Sequence, residues 1–214
     1  MGTSLTRRGG EDLIIASIFN LLDLHRPSYL DIGAHHPFII SNTALLYARH
    51  SRGVNVEANP ELINAFHKHR PHDVNFNVGV ADVAGRMKFY RIDRRSGRNT
   101  LSLESAQAFV RQYPQCRIED EIEVEVLSIN DIVERHCDNR YPDFLTIDVE
   151  GLDCAILASA DFSKSSPKVI CFERVTTEER AALSLLKERG YLPYARTWAN
   201  MIMLRHDVWE QIDL

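Results

Sequence analysis

The sequence predicts an open α/β sheet, in which parallel strands alternate with helices. Four short apolar runs carry this prediction, and each one ends in an acid, namely Asp31, Glu57, Asp148 and Glu173. Turn residues or a helical pattern follow the runs. Because the carboxyl ends of parallel strands meet at one edge of a sheet, we expect the four carboxylates to line the crevice where such sheets bind ligands.

The remaining elements follow from periodicity and capping signals. A leading helix is expected within residues 1–27, with its apolar pattern over 11–24, and an amphipathic stretch predicts another helix over 39–48, with Ser41 or Asn42 as its cap. Pro60 and Pro71 bracket a helix over 61–70. Further predicted elements are a third strand over 73–82, an added strand over 87–92, a charged edge strand over 119–126, a helix over 128–136 capped by Ser128, a helix over 178–189 and a closing antiparallel hairpin of 191–196 with 201–205.

Length and composition predict a single domain over residues 1–214, since 214 residues can bury one substantial core. The formal net charge is −5 and no basic block occurs, so we expect a small-molecule acceptor and no nucleic-acid partner. No apolar run approaches the roughly 18–20 residues of an integral membrane segment. The four cysteines form no Cys-x-x-Cys pair, so a cytoplasmic location is expected.

Residues 93–117 are predicted to form an inserted polar loop and a short helix that ends near Tyr113. Loops longer than ordinary connections often serve as lids or binding elements. Arg98, Asn99 and Thr100 suit an acceptor with hydroxyl or anionic groups. We therefore expect an acceptor-binding lid here, with an ordinary surface loop as the alternative.

The first two strand ends indicate a bound nucleoside. Glu57 stands where an acid accepts hydrogen bonds from both hydroxyls of a ribose. Gly33 permits close approach of the backbone to a ligand, and Asp31 can receive a cationic or hydroxyl group. A dinucleotide fold needs Gly-x-Gly-x-x-Gly, whereas this turn has a single glycine followed by Ala-His-His-Pro. A pyrophosphate ligand, and with it an NAD(P)-dependent oxidoreductase, is therefore disfavoured.

Four segments together resemble the FkbM family of S-adenosylmethionine-dependent methyltransferases. They are YLDIGAHHP from Tyr29, NVEANP from Asn55, IDVEG from Ile147 and ICFE from Ile170, and the resemblance extends to the closing hairpin. It implies a Rossmann-like class I methyltransferase with a seven-stranded, mostly parallel sheet, a C-terminal antiparallel hairpin and helices on both faces. It also implies O-methylation of a hydroxyl, commonly on a sugar, glycan or natural product.

The resemblance further implies roles for single residues. By position, Asp31, Gly33 and Ala34 would line the methionine part of the cofactor, Glu57 its ribose, and Asp148 would lie beside the sulfonium. His-His-Pro stands where the family more commonly has Asn-x-Gly, which marks a subgroup. The complete predicted cofactor set is Asp31, Gly33, Ala34, His35, Ser41, Glu57, Ala58, Asn59, Asn77, Gly79, Val80 and Asp148.

Methyl transfer to a hydroxyl also needs a base, which contributes on the order of 10²–10⁴-fold. Asp148, His35 and His36 are the candidate bases, while Glu150 and Glu173 join Arg98, Asn99 and Thr100 as expected acceptor-binding residues. Asp148 and Glu173 could also hold a hard divalent ion such as Mg²⁺, which would lower the pKa of the hydroxyl. The non-enzyme alternative is a methyltransferase fold that binds a nucleoside or a protein partner without turnover.

Overall fold

The computed structural model describes residues 10–174 and 179–212. Its strands are β1 Tyr29–Ile32, β2 Gly53–Val56, β3 Val74–Phe76, β4 Gly79–Ala81, β5 Gly85–Arg91, β6 Asp120–Ser128, β7 Phe144–Ile147, β8 Val169–Glu173, β9 Tyr191–Arg196 and β10 Asn200–Arg205. Its helices are α1 Glu11–Leu21, α2 Ala44–Ala48, α3 Pro60–His69, α4 Leu103–Gln112, α5 Ile129–His136, α6 Asp153–Ser159, α7 Glu179–Glu188 and α8 His206–Ile212.

The main sheet has seven strands in the order β3-β2-β1-β7-β8-β10-β9. The first five of these run parallel, and β10 pairs antiparallel with both β8 and β9. This confirms the predicted seven-stranded, mostly parallel sheet with its closing antiparallel hairpin. The chain proceeds from β1 outwards to β2 and later returns to β7 on the other side of β1, so a crevice forms beyond the carboxyl ends of these strands.

Successive side chains of the strands pack on opposite faces of the sheet. Leu30 and Ile32 of β1 belong to a core shared with α5, α6 and α7, whereas Tyr29 packs with α1, α2 and α8. Both faces of the parallel strands are buried, and for this reason their sequences are largely continuous apolar runs. The predicted placement of helices on both faces is thereby confirmed.

The prediction of one strand over 73–82 is wrong. The chain forms β3 in the main sheet and then β4, which pairs with β6 in a separate three-stranded sheet of order β4-β6-β5. Asn77 lies between the two strands, and its side-chain amide donates to the main-chain oxygens of Glu57 at 2.8 Å and Ala58 at 3.0 Å. These bonds tie the chain to the turn after β2 at the point where it leaves the main sheet.

The predicted edge position of the strand over 119–126 is also wrong, because β6 is the middle strand of the small sheet. Its acids lie on the solvent face, where Glu121 pairs with Lys88 at 2.6 Å and Glu123 with Arg86 at 2.9 Å. The charges that indicated an edge therefore mark an exposed face, with β4 and β5 pairing on either side.

The helix predicted over 39–48 begins only at Ala44 and is preceded by Thr43, so neither Ser41 nor Asn42 caps it. Other caps agree with the sequence: Ser128 forms a capping box with Asp131 at the start of α5. The chain also contains α8, which periodicity did not predict. The predicted first residue of α7, Glu178, and the first nine residues of the leading segment lie outside the described ranges.

Within residues 10–174 and 179–212, no helix combines the length and the apolar character that crossing a membrane requires.

Candidate active site

A cavity opens beyond the carboxyl ends of β1, β2 and β7. We call the part that Glu57 lines the inner part and the part that Glu150 lines the outer part; their volumes are about 40 Å³ and about 170 Å³. The two parts share the residues Gly33, His35, Ser96, Gly97 and Asp148. The inner part is otherwise largely apolar, with lining residues Ile32, Val56, Glu57, Ala58, Leu62, Val78, Gly79, Val80, Phe89, Asn99, Leu101 and Val149.

Glu57 is the buried carboxylate of the inner cavity. One of its oxygens accepts from the main-chain N–H of His35 and the other from that of Asn59, both at 2.8 Å. The carboxylate thus joins the turn after β1 to the start of α3, whose cap is Asn59. Burial raises the pKa of the Glu57 carboxyl to about 7.

Gly33 is required by the backbone of the protein itself. Its φ is +79°, and a Cβ at this position would stand 1.9 Å from the carbonyl oxygen of Asp148. The turn after β1 therefore lies directly against the end of β7. His35 follows in the left-handed region at φ +53°, with its Nε2 3.3 Å from the carbonyl oxygen of Arg95.

Three carboxylates, from Asp148, Glu150 and Glu173, meet beside the outer cavity, with one oxygen of each within 4.8 Å of the others. Arg98 donates from one Nη1 to both oxygens of Glu150, at 2.6 and 2.8 Å, and to Glu173 at 3.3 Å. Burial, reinforced by the neighbouring acids, raises the pKa of Asp148 well above its usual value and that of Glu150 to about 7. Asp148 and Glu150 therefore hold their protons more tightly than ordinary carboxyl groups do.

Asp153 adds a fourth acid behind this cluster, at the start of α6. Its side chain is buried, one of its oxygens has no hydrogen-bond partner among the described residues, and burial raises the pKa of its carboxyl strongly.

The insertion covers the cavity as a loop that leads into α4. The loop is tied down by Asn59, whose side-chain amide donates to the carbonyl of Arg94 at 2.7 Å, and by Thr100, whose hydroxyl donates to the carbonyl of Glu150 at 2.9 Å. Asn99 closes the loop on itself through bonds with the main chain of Ile92 and Asp93. Of the predicted acceptor-binding residues in this loop, only Arg98 reaches the carboxylates with its side chain.

Eight predicted site residues do not line either part of the cavity, namely Asp31, Ala34, His36, Ser41, Asn59, Asn77, Thr100 and Glu173. Asp31 lies on the opposite face of the sheet from Ile32, where its carboxylate accepts from Thr43 at 2.6 Å and burial raises its pKa to about 6. Ala34 packs against α3, and Ser41 accepts from a buried arginine. The roles assigned to these three residues from the sequence stay predictions.

His36 also lies outside the lining of the cavity. Its Nδ1 accepts from the main-chain N–H groups of Phe38 at 3.1 Å and Ile39 at 3.0 Å, so this nitrogen holds the turn. Burial lowers the pKa of His36. Asp148 and His35, the other two candidate bases, line both parts of the cavity.

The sequence analysis did not identify the apolar wall of the inner part, which Leu62 of α3, Phe89 of β5 and Leu101 of the inserted loop form. It also missed Arg70, which follows α3 and is completely buried. The apolar residues have no chemical signature in the sequence, and Arg70 stands directly after three exposed residues of the helix, His67 to His69.

The family model described as the methyltransferase FkbM domain matches residues 31–193, which span all four acids of the predicted strand ends. The chain therefore belongs to the FkbM methyltransferase family, as its resemblance indicated. Its sheet is the Rossmann-like methyltransferase sheet that the family implies.

Two solved methyltransferase structures are similar to this chain in fold. The precorrin-6y C5,15-methyltransferase from Geobacter metallireducens is 14% identical over 90% of this chain and 87% of its own, with a TM-score of 0.41. A protein from Pyrococcus horikoshii assigned as an RNA methyltransferase is 13% identical over 92% of this chain and 83% of its own, also with a TM-score of 0.41. A comparison of the sequence with curated proteins found no match.

Proposed function

We propose that this methyltransferase uses S-adenosylmethionine and methylates a hydroxyl of a small molecule or glycan. The observation that carries the proposal is the division of one cavity into two chemically different parts. The inner part combines apolar walls with the Glu57 carboxylate, as a nucleoside requires, and the outer part adjoins Glu150, Arg98 and Glu173, which suit an acceptor rich in hydroxyls. Asp148 lines both parts.

The acceptor carboxylate and the apolar walls of the inner part suit the cofactor. A carboxylate has about four acceptor positions, and Glu57 uses one position on each oxygen for a main-chain N–H. The remaining lone pairs are available to the two ribose hydroxyls, while Val56, Leu62 and Phe89 offer apolar surface to the base. When bound, S-adenosylmethionine supplies a methyl group activated on a sulfonium.

The same region suits a dinucleotide poorly. Pyrophosphate sites use the N-terminus of the helix that directly follows the first strand, where the free N–H groups meet the phosphates. Here α2 begins only at Ala44, well beyond the Gly33 turn, and it has five residues. This placement supports a nucleoside without a pyrophosphate and speaks against the NAD(P)-dependent alternative.

Asp148 is the base in this proposal. Its raised pKa lies nearer to that of a hydroxyl than the pKa of an ordinary aspartate does, which makes proton acceptance more favourable. His35 lies across the same cavity and contacts the carbonyl of Arg95 in the lid loop. We assign His35 to closing the site over the acceptor, and retain it as the alternative base.

Glu150, Glu173 and Arg98 form the acceptor-binding group in this proposal. Carboxylates accept hydrogen bonds from sugar hydroxyls, and Arg98 can donate to a ring or hydroxyl oxygen. The acids outnumber Arg98 in this group, which favours an acceptor rich in hydroxyls over an anionic one. Asn99 and Thr100 contribute by holding the loop that carries Arg98.

A divalent cation such as Mg²⁺ is the second candidate for this cluster, because oxygens from Asp148, Glu150 and Glu173 approach within 4.8 Å of one another. Its binding would require Arg98 to withdraw, since that guanidinium already bridges two of the three carboxylates. If dialysis against EDTA leaves full methyl-transfer activity, the metal has no role in the reaction.

The proposal is tested by the melting temperature of the purified protein with S-adenosylhomocysteine, and with NADH as the comparison ligand. A ligand at 100 times its Kd stabilises a folded protein by about 2.7 kcal/mol. We expect a rise with S-adenosylhomocysteine alone. A rise with NADH alone would support redox chemistry, and no rise with either would support a binding module without turnover.

A further inference from the structure

Arg70 is among the largest completely buried side chains of the described residues. Its guanidinium donates to the carbonyl oxygen of Pro37 from both Nε and Nη2, to the Ser41 hydroxyl at 2.9 Å, to the Thr43 hydroxyl at 2.7 Å and to the side-chain oxygen of Asn55 at 3.3 Å. Every N–H of the fork thus has an acceptor, and all of these acceptors are neutral.

Three of the four acceptors belong to one irregular segment, residues 37–43, which joins the turn after β1 to α2. Thr43 also donates to Asp31 on β1, at 2.6 Å. Arg70 therefore fixes the segment at its beginning, near its middle and at its end, and reaches β1 through one further hydrogen bond.

The turn that precedes this segment carries residues of the cavity. Gly33 and His35 line both parts of the cavity, and His35 is held in the left-handed region of backbone conformation. Ile40, within the segment itself, lines the outer part. On one side Glu57 accepts from the N–H of His35, and on the other side Arg70 holds Pro37. The cavity-lining turn is therefore restrained from both ends.

Burial of the Arg70 guanidinium costs free energy, because its charge leaves water without a carboxylate in direct contact. The nearest acids, Asp31 and Asp73, are each separated from it by one side chain, Thr43 and Asn55 respectively. What this arrangement provides is five directed bonds in a fixed fork, which specify one loop conformation.

We propose that Arg70 is a positioning residue of the cofactor site: it fixes residues 37–43, and with them the Gly33 to Ile40 wall, in the conformation that binds the cofactor. This inference rests on the proposed function. Without Arg70 the segment would lose the hydrogen bonds that Pro37, Ser41 and Thr43 accept from the guanidinium, so part of the binding free energy would be spent on restoring this conformation.

The test compares Arg70→Met, which removes the donors, with Arg70→Lys, which keeps the charge and some donors, by titration calorimetry with S-adenosylhomocysteine. Arg52→Met is the matched control. The Arg52 guanidinium lies 4.8 Å from the centre of the Tyr47 ring, which Arg70 also contacts at 5.4 Å, but it bonds only to nearby main-chain oxygens. Circular dichroism and urea unfolding establish that each variant is folded at the temperature of the titration.

We expect Arg70→Met to raise the Kd about tenfold or more, Arg70→Lys to recover part of the loss and Arg52→Met to bind like the wild type. A purely structural role would lower the stability and leave the Kd of the folded protein unchanged, which would overturn the proposal while the proposed function stood. A wild type that fails to bind S-adenosylhomocysteine would overturn both.

If Arg70→Met fails to fold, the same titration with Thr43→Val tests the proposal, because this variant removes only the hydroxyl between Arg70 and Asp31. A Kd raised by this variant in the folded state is the expected result. An unchanged Kd would overturn the proposal.

Discussion

Glu57→Gln tests the ribose-binding role of the buried carboxylate. The glutamine side chain keeps one acceptor oxygen and places an amide NH₂ where the second oxygen stood, facing the N–H of either His35 or Asn59. At least one 2.8 Å main-chain bond is therefore lost, and the ribose loses a charged acceptor. A hydrogen bond to a charged group contributes about 1.5–3 kcal/mol, so we expect the Kd for S-adenosylhomocysteine to rise about 10- to 150-fold.

Titration calorimetry at pH 8 measures this effect, with Glu61→Gln as the control. Glu61 lies in the first turn of α3, outside the cavity, where it pairs with Arg91 at 3.2 Å. The control should bind like the wild type. The reasoning is refuted if folded Glu57→Gln binds S-adenosylhomocysteine within twofold of the wild-type affinity, since the ribose would then have no need of this carboxylate.

Glu57→Gln should also change how the free energy of unfolding depends on pH. Burial raises the pKa of Glu57 from 4.5 to about 7, so the folded protein holds this proton more tightly than the unfolded chain. Its stabilising contribution is therefore present below pH 4.5 and is lost as the pH rises through 7. At about 1.36 kcal/mol per pKa unit, the loss amounts to about 3 kcal/mol.

Urea unfolding at pH 4.5 and pH 8 checks this sign. The wild type should lose about 3 kcal/mol more free energy of unfolding over that interval than Glu57→Gln does. The difference between the two proteins removes the contributions of the other buried acids. Equal losses in both proteins would mean that Glu57 titrates normally.

Three further perturbations test other parts of the site. Asp148→Asn should lower the rate of methyl transfer on the order of 10²–10⁴-fold in steady-state kinetics, with little change in the Kd for S-adenosylhomocysteine. A near-normal rate would mean that Asp148 is not the base and would favour His35. Arg98→Met should release the lid loop from Glu150 and Glu173. Because a hydrogen bond to a charged group contributes about 1.5–3 kcal/mol, the main-chain amides of the loop should exchange hydrogen about tenfold faster or more. Unchanged exchange would mean that other contacts hold the loop. Gly33→Ala should lower the free energy of unfolding by about 2–5 kcal/mol, measured by urea unfolding. The left-handed backbone accounts for about 1–2 kcal/mol and the collision with the Asp148 carbonyl for about 1–3 kcal/mol. A loss below about 1 kcal/mol would contradict the tight contact between the two turns.

The sequence was most informative where one chemical pattern repeats. Apolar runs that end in an acid identified the parallel strands, because both faces of those strands are buried and their ends meet at one edge. The same pattern brought Glu57 and Asp148 to the cavity. Ser128 likewise identified the start of α5, where it forms a capping box with Asp131 three residues later.

Features that depend on contacts between residues far apart in the chain could not be predicted from the sequence. The burial of Arg70 is invisible from its neighbours, because its acceptors come from a segment about thirty residues earlier and from β2. The small sheet was missed since the turn at Asn77 depends on carbonyls of Glu57 and Ala58. Gly33 was predicted to approach a ligand, yet the carbonyl of Asp148 already requires a residue without a Cβ.

Asp31 shows the same distinction between position and orientation. Its place at the end of β1 was predicted correctly, but the alternation of side chains along the strand turns it to the face opposite Ile32 and the cavity. There it accepts from Thr43 and belongs to the network around Arg70.

The structure of the protein in complex with S-adenosylhomocysteine would test the two-part cavity as a whole. We predict that both ribose hydroxyls bond to the Glu57 carboxylate, that the base lies against Leu62 and Phe89, and that the sulfur faces Asp148 and the outer cavity. A ligand bound at another edge of the sheet, or with its ribose away from Glu57, would contradict the account.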